Sequence, residues 1–170
     1  LNNLRVSRAN PGPLVRMRGV IAPILASVVL SNGAPYLIVD KPGTAINRHV
    51  LLDHVDCIGG QAAVGIDCTS VDALRVHHCR IACNGAGSIM VRVNGGAQPS
   101  LMGVGGINFA TYLHVRSTTK LVKLYGGWRD TAVFTRWIDS EASTRGVWFG
   151  RRVTTNAPSG TWGMFGPIHN

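Results

Sequence analysis

Apolar residues occur along this chain in short, β-prone runs. The runs at 28–30, 50–52 and 73–76 consist mainly of Val and Leu, and turn signals lie between them. The turn signals are the dipeptides Asn32-Gly33, Pro42-Gly43, Gly59-Gly60 and Asn84-Gly85. The pattern predicts short strands that are joined by tight turns.

The runs recur with a period of 22 residues. Two ladders share this spacing, and they consist of Leu30, Leu52 and Leu74, and of Gly43, Gly65 and Gly87. A repeat of about 20–25 residues built from short strands is too short for a helix–turn–helix unit and is typical of one β-solenoid coil. Each residue should then lie over its equivalent in the next coil, which would stack Cys57 on Cys79.

The ladders stop near residue 95, and the composition changes soon after it. The first 108 residues contain one aromatic residue, Tyr36, whereas all four tryptophans follow. The later segment still alternates like strand. We therefore predict an N-terminal cap or connection over 1–19, β-helix coils over 20–95, and a β-rich, Trp-containing assembly or receptor-contact region over 96–170.

Composition narrows the choice of partner. Hydrophobic residues make up 45% of the chain and charged residues 15%, and no run of about 18 apolar residues could span a bilayer. Lys and Arg number 17 against 8 Asp and Glu, which gives a net charge of +9, but the arginines are scattered along the sequence. Scatter argues against a nucleic-acid surface and is compatible with an acidic glycan. We expect neither nucleic acid nor membrane as a partner.

Residues 50–60 and 73–85 carry a likeness to a known architecture. Their short strands, small-residue ladder and glycine corners resemble those of right-handed parallel β-helix proteins, which include pectate-lyase-like polysaccharide enzymes and bacteriophage tailspikes and tail fibres. The phage proteins look more similar, because an aromatic, β-rich region follows the coils. The resemblance implies an all-β chain: a short right-handed parallel β-helix and then a C-terminal trimerisation region.

The leading functional expectation is a structural virion appendage, located on the virion and extracellular. It would be a tail spike, tail fibre or capsid-attached fibre that forms a homotrimeric shaft, contacts other virion proteins and binds host surface glycans. Aromatic and arginine side chains would bind the sugars, and the candidates are Trp128, Arg129, Trp137, Trp148, Arg151 and Arg152. For the tryptophans, packing in the core of a trimer is the competing interpretation, and the one that we favour.

The alternative is a β-helix polysaccharide lyase or hydrolase that acts on acidic glycans. Such hydrolysis commonly uses two carboxylates about 5–9 Å apart. The polar cluster around Asp53, His54 and Asp56 supplies candidates, and the residues considered catalytic are Asp53, Asp56, Asp67, His77 and His78. At a period of 22, Asp56 would contact His78. We favour the interpretation that these residues satisfy backbone groups at corners, and therefore a protein that is not an enzyme.

The four cysteines lie close together in sequence, between residues 57 and 83. His77, His78, Cys79 and Cys83 are possible zinc ligands, but their spacing lacks a second ligand pair, and successive strand residues point to opposite faces. We predict no metal and no cofactor. A Cys57–Cys79 disulfide and buried, reduced thiols remain equal alternatives.

Overall fold

The structure is a computed structural model that describes residues 4–7, 9, 12–40, 47–116, 119–131 and 133–140, and the backbone of 145–149. The described residues form strands and turns and contain no helix, so none of them lies in a helix that could cross a membrane. The strands are β1 (Arg5–Ser7), β2 (Val15–Arg18), β3 (Ile24–Ser31), β4 (Leu37–Asp40), β5 (Asn47–Arg48), β6 (Leu51–Ala62), β7 (Val64–Thr69), β8 (Val71–Asp72), β9 (Arg75–His77), β10 (Arg80–Asn94), β11 (Ser100–Arg116), β12 (Lys120–Asp130), β13 (Arg136–Ser140) and β14 (Arg145–Phe149).

Strands pair with strands of the next coil. Every ladder among the described strands is parallel, as in β3 with β6, β6 with β9, β9 with β11 and β11 with β12. Parallel neighbours need a long connection between them, and here the rest of the coil supplies it. The chain is a parallel β-solenoid of about five coils with about 24 residues per turn, which confirms the expected architecture.

The interior of the solenoid is filled by side chains that repeat from coil to coil. One inward column contains Leu25, Leu52, Val76, Leu101 and Leu124, each at most 3% exposed. Successive strand residues point to opposite faces, so the residues beside this column face outward. The apolar runs of the sequence are therefore the inner wall of the coils.

The register of the coils differs from the 22-residue ladders. Leu52 pairs with Leu25, which is 27 residues earlier, and with Val76, which is 24 residues later. The corners differ in length, so no single period fits all coils. The predicted stacking of Cys57 on Cys79 is wrong, because Cys57 pairs with Ile81. All four cysteines are buried free thiols.

The parallel stack continues past residue 95. Strand β11 pairs with β10 before it and with β12 and β13 after it, and β14 extends the stack from β12. The rings of Phe109 and Tyr112 are buried, and those of Phe134 and Trp137 pack against the core. These four aromatic residues thus fill the interior of the last coils, which accounts for part of the change in composition. A role of 96–170 in trimer assembly stays a prediction.

Candidate functional site

Residues with a left-handed backbone conformation form a column along one corner of the solenoid. Its members are equivalent in successive coils, and they are Ser27, His54, His78, Gly103 and Gly126. Their φ angles lie between 50° and 61°. This conformation normally favours Gly, because a Cβ atom crowds the backbone. Two consecutive coils nevertheless place a histidine there.

The bend at this column interrupts the in–out alternation of the strand. Leu52 and Val55 are buried, whereas Asp53 and His54 between them both reach the surface. A regular strand would have sent these two neighbours to opposite faces. The bend therefore brings an extra polar side chain onto the outer surface of the coil.

Asp53 connects the histidines of two coils. Its Oδ1 atom lies 3.0 Å from Nδ1 of His54 and 3.3 Å from Nδ1 of His78. Partial desolvation raises the pKa of Asp53, but the hydrogen bonds and charges of the two histidines outweigh it, so the pKa of this carboxyl lies below its ordinary value. We call Asp53, His54 and His78 the corner cluster.

The predicted Asp–His contact therefore exists, but with a different aspartate. Asp56 was expected over His78 and instead pairs with Arg80, because equivalent residues here are 24 apart and not 22. His77 pairs with Asp53 in the ladder and is partly buried, and this burial lowers its pKa. The corner cluster thus uses His78 and leaves His77 outside it.

A second column lies beside the corner on the outer surface. Asp56 and Arg80 form two hydrogen bonds, of 2.8 Å from Nε and 3.1 Å from an NH2 nitrogen of the guanidinium. Arg80 also pairs with Gly105 of the next coil, and Gly105 pairs with Trp128 of the coil after that. We call Asp56, Arg80, Gly105 and Trp128 the outer strip.

The indole of Trp128 lies directly on Gly105. A Cβ atom at Gly105 would overlap the indole ring, so the absence of a side chain there gives the ring its place. Trp128 is 37% exposed although it is a large apolar residue. The outer strip therefore presents a charged pair and, in line with it, an accessible aromatic ring that covers Gly105.

A groove of about 360 Å³ joins the corner cluster to the outer strip. His54, Asp56, His78 and Arg80 line it, together with Ser27 and the apolar residues Val28, Val29 and Val55. These residues offer carboxylate acceptors, guanidinium donors and imidazole nitrogens to one ligand. A polar ligand could contact all of these groups in this groove.

The structure does not bring the three candidate carboxylates together. Asp67 lies on another strand of the coil, β7, where it binds Arg92 through a 2.9 Å hydrogen bond from Nε. Asp53 has a lowered pKa, whereas a general acid for glycoside hydrolysis needs a raised one. This geometry does not favour a two-carboxylate hydrolase.

The binding candidates separate according to strand alternation. Trp128 faces outward, whereas Arg129 places its guanidinium 4.1 Å from the ring centroid of Phe134. Trp137 is partly buried, and its ring centroid lies 4.8 Å from that of Tyr112 and 5.1 Å from that of Phe134. The side chain of Trp148, and Arg151 and Arg152 entirely, lie outside the described residues. Of the six candidates, the structure places Trp128 on the outer strip.

Arg80 is missing from the residues predicted from sequence, because the predicted period of 22 does not set it opposite Asp56. Residues 53–56 and 77–80 align at a spacing of 24, which sets Arg80 opposite Asp56. Several scattered arginines have the same role elsewhere, since Arg18 binds Asp40 and Arg92 binds Asp67 across coils. Part of the positive charge is therefore compensated within the protein.

Comparisons of the chain with protein-family models, with curated proteins and with solved structures found no match. The fold itself places the chain in the class of parallel β-solenoids. A fold of this kind does not define an activity, so the function is inferred from the side chains that the coils present.

Proposed function

We propose that this chain is a structural β-solenoid that forms a shaft segment of a virion appendage and binds host-surface glycan along the outer strip. The observation that carries the proposal is the register of Asp56, Arg80, Gly105 and Trp128 in one outward column. Such a column offers a chain of sugar residues the Asp56–Arg80 pair on two coils and the Trp128 indole, which covers Gly105, beyond them.

The chemistry of the outer strip suits a glycan. The apolar face of a pyranose ring packs on an exposed indole, while Asp56 and Arg80 supply an acceptor and charged donors for hydroxyl or carboxylate groups. Coils are spaced about 4.8 Å apart, so the strip extends over about 14 Å from Asp56 to Trp128. This length fits an oligosaccharide better than a single sugar.

The electrostatics favour an acidic glycan. The chain carries a net charge of +9, which attracts anionic ligands and speeds their encounter. The Asp56 carboxylate already neutralises Arg80 in part, so a ligand carboxylate would contact the guanidinium nitrogens at its free edge. Neutral sugars would retain only the stacking and hydroxyl contacts.

The ends of the stack support a role in a larger assembly. Among the described strands, β1 pairs only with β3 and β14 only with β12. Open edges of a solenoid present unpaired backbone groups, which favour capping by further coils or by neighbouring subunits. A homotrimeric shaft with other virion proteins at its ends would cover them. Three identical outer strips would then bind a polysaccharide multivalently.

A glycan array tests the binding proposal. We expect the chain to bind acidic oligosaccharides, and Trp128→Ala and Arg80→Gln each to weaken that binding by about tenfold. Arg92→Gln is the matched control, because Arg92 also pairs with an aspartate one coil away, Asp67 on β7, and does not belong to the outer strip. No bound glycan, or equal losses with Arg80→Gln and Arg92→Gln, would contradict the proposal.

A further inference from the structure

We propose that the corner cluster binds one divalent transition-metal ion of the Zn²⁺ type, through the Asp53 carboxylate and one imidazole nitrogen each of His54 and His78. This site goes beyond glycan binding and does not depend on it. It rests on the position of the donor atoms and on the backbone that holds them.

The donor atoms already have nearly the spacing that zinc requires. Zinc holds oxygen and nitrogen ligands at about 2.0–2.2 Å, and a tetrahedral arrangement therefore separates its ligands by about 3.3–3.6 Å. Oδ1 of Asp53 lies 3.0 Å from Nδ1 of His54 and 3.3 Å from Nδ1 of His78. Donor atoms of all three residues lie within 4.8 Å of one another.

The side chains can close the remaining distance without moving the coil. The side chains of His54 and His78 are 62% and 48% exposed, and their ring centroids are 4.9 Å apart. Exposed rings rotate readily about their side-chain bonds. The Cδ2 atom of His78 would be only 3.0 Å from a Cβ at Gly103, so the glycine leaves space for this ring.

The backbone fixes the position of the two imidazole rings. His54 and His78 adopt φ angles of 51° and 50°, where the next two coils use Gly103 and Gly126. A histidine in this conformation is less stable than glycine by about 1–2 kcal/mol, so this corner presents two imidazoles at a conformational cost. The same conformation occurs at Ser27 in this column and at His49 outside it, so it fixes the position of the two rings and does not by itself mark a functional site.

The ligand set indicates the kind of metal. Two imidazoles and one carboxylate suit Zn²⁺, Co²⁺ or Ni²⁺, whereas Ca²⁺ and Mg²⁺ prefer oxygen ligands alone. Three protein ligands leave at least one coordination position for water. The set of His77, His78, Cys79 and Cys83 is not a site, because Cys79 and Cys83 are buried while His78 is exposed.

Calorimetric titration of the chelator-treated chain with ZnCl₂ tests the site. We expect one ion per chain, and a loss of affinity of more than about tenfold in Asp53→Asn, His54→Asn and His78→Asn. Asparagine is chosen because it tolerates the left-handed conformation. His49→Asn is the matched control, since His49 is also exposed, has a φ of 54° and lies outside the cluster.

Several results would overturn the proposal. These are a wild-type chain that does not bind zinc, cluster variants that bind within twofold of wild type, an equal loss in His49→Asn, or one ion shared by two chains. If circular dichroism shows that a variant does not fold, the visible absorption spectrum of the Co²⁺-loaded wild type tests the ligand set instead. Visible bands without thiolate-to-cobalt charge transfer support the site, and thiolate bands or no bands contradict it. Glycan binding measured with chelator present tests the proposed function separately.

Discussion

The indole of Trp128 occupies the space above Gly105, its partner one coil earlier in the ladder. Gly105 has no left-handed φ, so alanine is compatible with its backbone, and the obstacle to a side chain there is the ring itself. The position of the Trp128 indole on the surface therefore depends on the absence of a side chain at Gly105.

We predict that Gly105→Ala destabilises the protein by about 1–3 kcal/mol, because the new methyl group displaces the indole. In a Trp128→Ala background the same change should be milder by at least about 1 kcal/mol. Urea denaturation of the four proteins in this double-mutant cycle measures the coupling. Additive effects of the two substitutions would show that the ring does not rest on Gly105.

The inter-coil ion pairs Arg80–Asp56 and Arg92–Asp67 should differ in their contribution to stability. The side chains of Arg92 and Asp67 are 30% and 21% exposed, compared with 47% and 39% for Arg80 and Asp56. Since water screens the more exposed pair, Arg80→Gln should lower the free energy of unfolding by less than about 1 kcal/mol. Arg92→Gln should lower it by more. Urea denaturation of both variants checks the order, and a larger loss in Arg80→Gln would contradict it.

The buried thiols should make the protein sensitive to alkali. Burial raises the pKa of Cys79 and of Cys83 to about 12, from an ordinary value near 9.0. Below pH 9 the folded and the unfolded chain both hold the thiol proton, so the thiol does not reduce the free energy of unfolding. Between pH 9 and 12 the unfolded chain releases this proton while the folded chain retains it. Each thiol should then reduce stability by up to about 1.4 kcal/mol per pH unit.

Urea denaturation of wild type and Cys79→Ala between pH 8 and 11 measures this contribution, together with the smaller effect of Cys79 on the pKa values of Cys57 and Tyr112. The variant should lose stability less steeply above pH 9, and parallel curves would contradict the burial of this thiol. Alkylation followed by mass measurement gives an independent check. All four cysteines should react only after unfolding, and an intact-mass loss of two hydrogens would instead reveal a disulfide.

The proposed shaft predicts an oligomer. Light scattering should give three times the chain mass of 18.1 kDa, because the proposed shaft is a homotrimer. A monomer at micromolar concentration would contradict a trimeric assembly by this chain. Such a result would leave the outer strip as a monovalent binding surface.

Much of the fold follows from the sequence, and the register does not. Alternating apolar residues predict the strands, and their recurrence predicts the coils, because every coil must present the same inward face. Because the corners differ in length, Leu52 pairs with Leu25 and not with Leu30, the partner that a 22-residue period predicts. The aromatic residues beyond 108 resembled a separate region, yet Phe109 and Tyr112 fill the same interior with larger side chains.

The candidate site was only partly accessible from sequence for a related reason. The left-handed bend at His54 places Asp53 and His54 on one surface, and no rule of strand alternation anticipates it. Pairing across coils depends on register, so the partners of Asp53 and Asp56 became clear only with the structure. Alternation does explain why Trp128 faces outward while Arg129 packs against Phe134.

The most direct test of glycan binding along the outer strip is the dependence of affinity on oligosaccharide length. For the best acidic ligand of an array, calorimetry should show affinity rising from one sugar to the length that covers about 14 Å, then levelling off. Trp128→Ala should remove the gain from the longer ligands and leave the short ones nearly unchanged. Affinity that is independent of length, or a length dependence that Trp128→Ala leaves intact, would contradict binding along this strip.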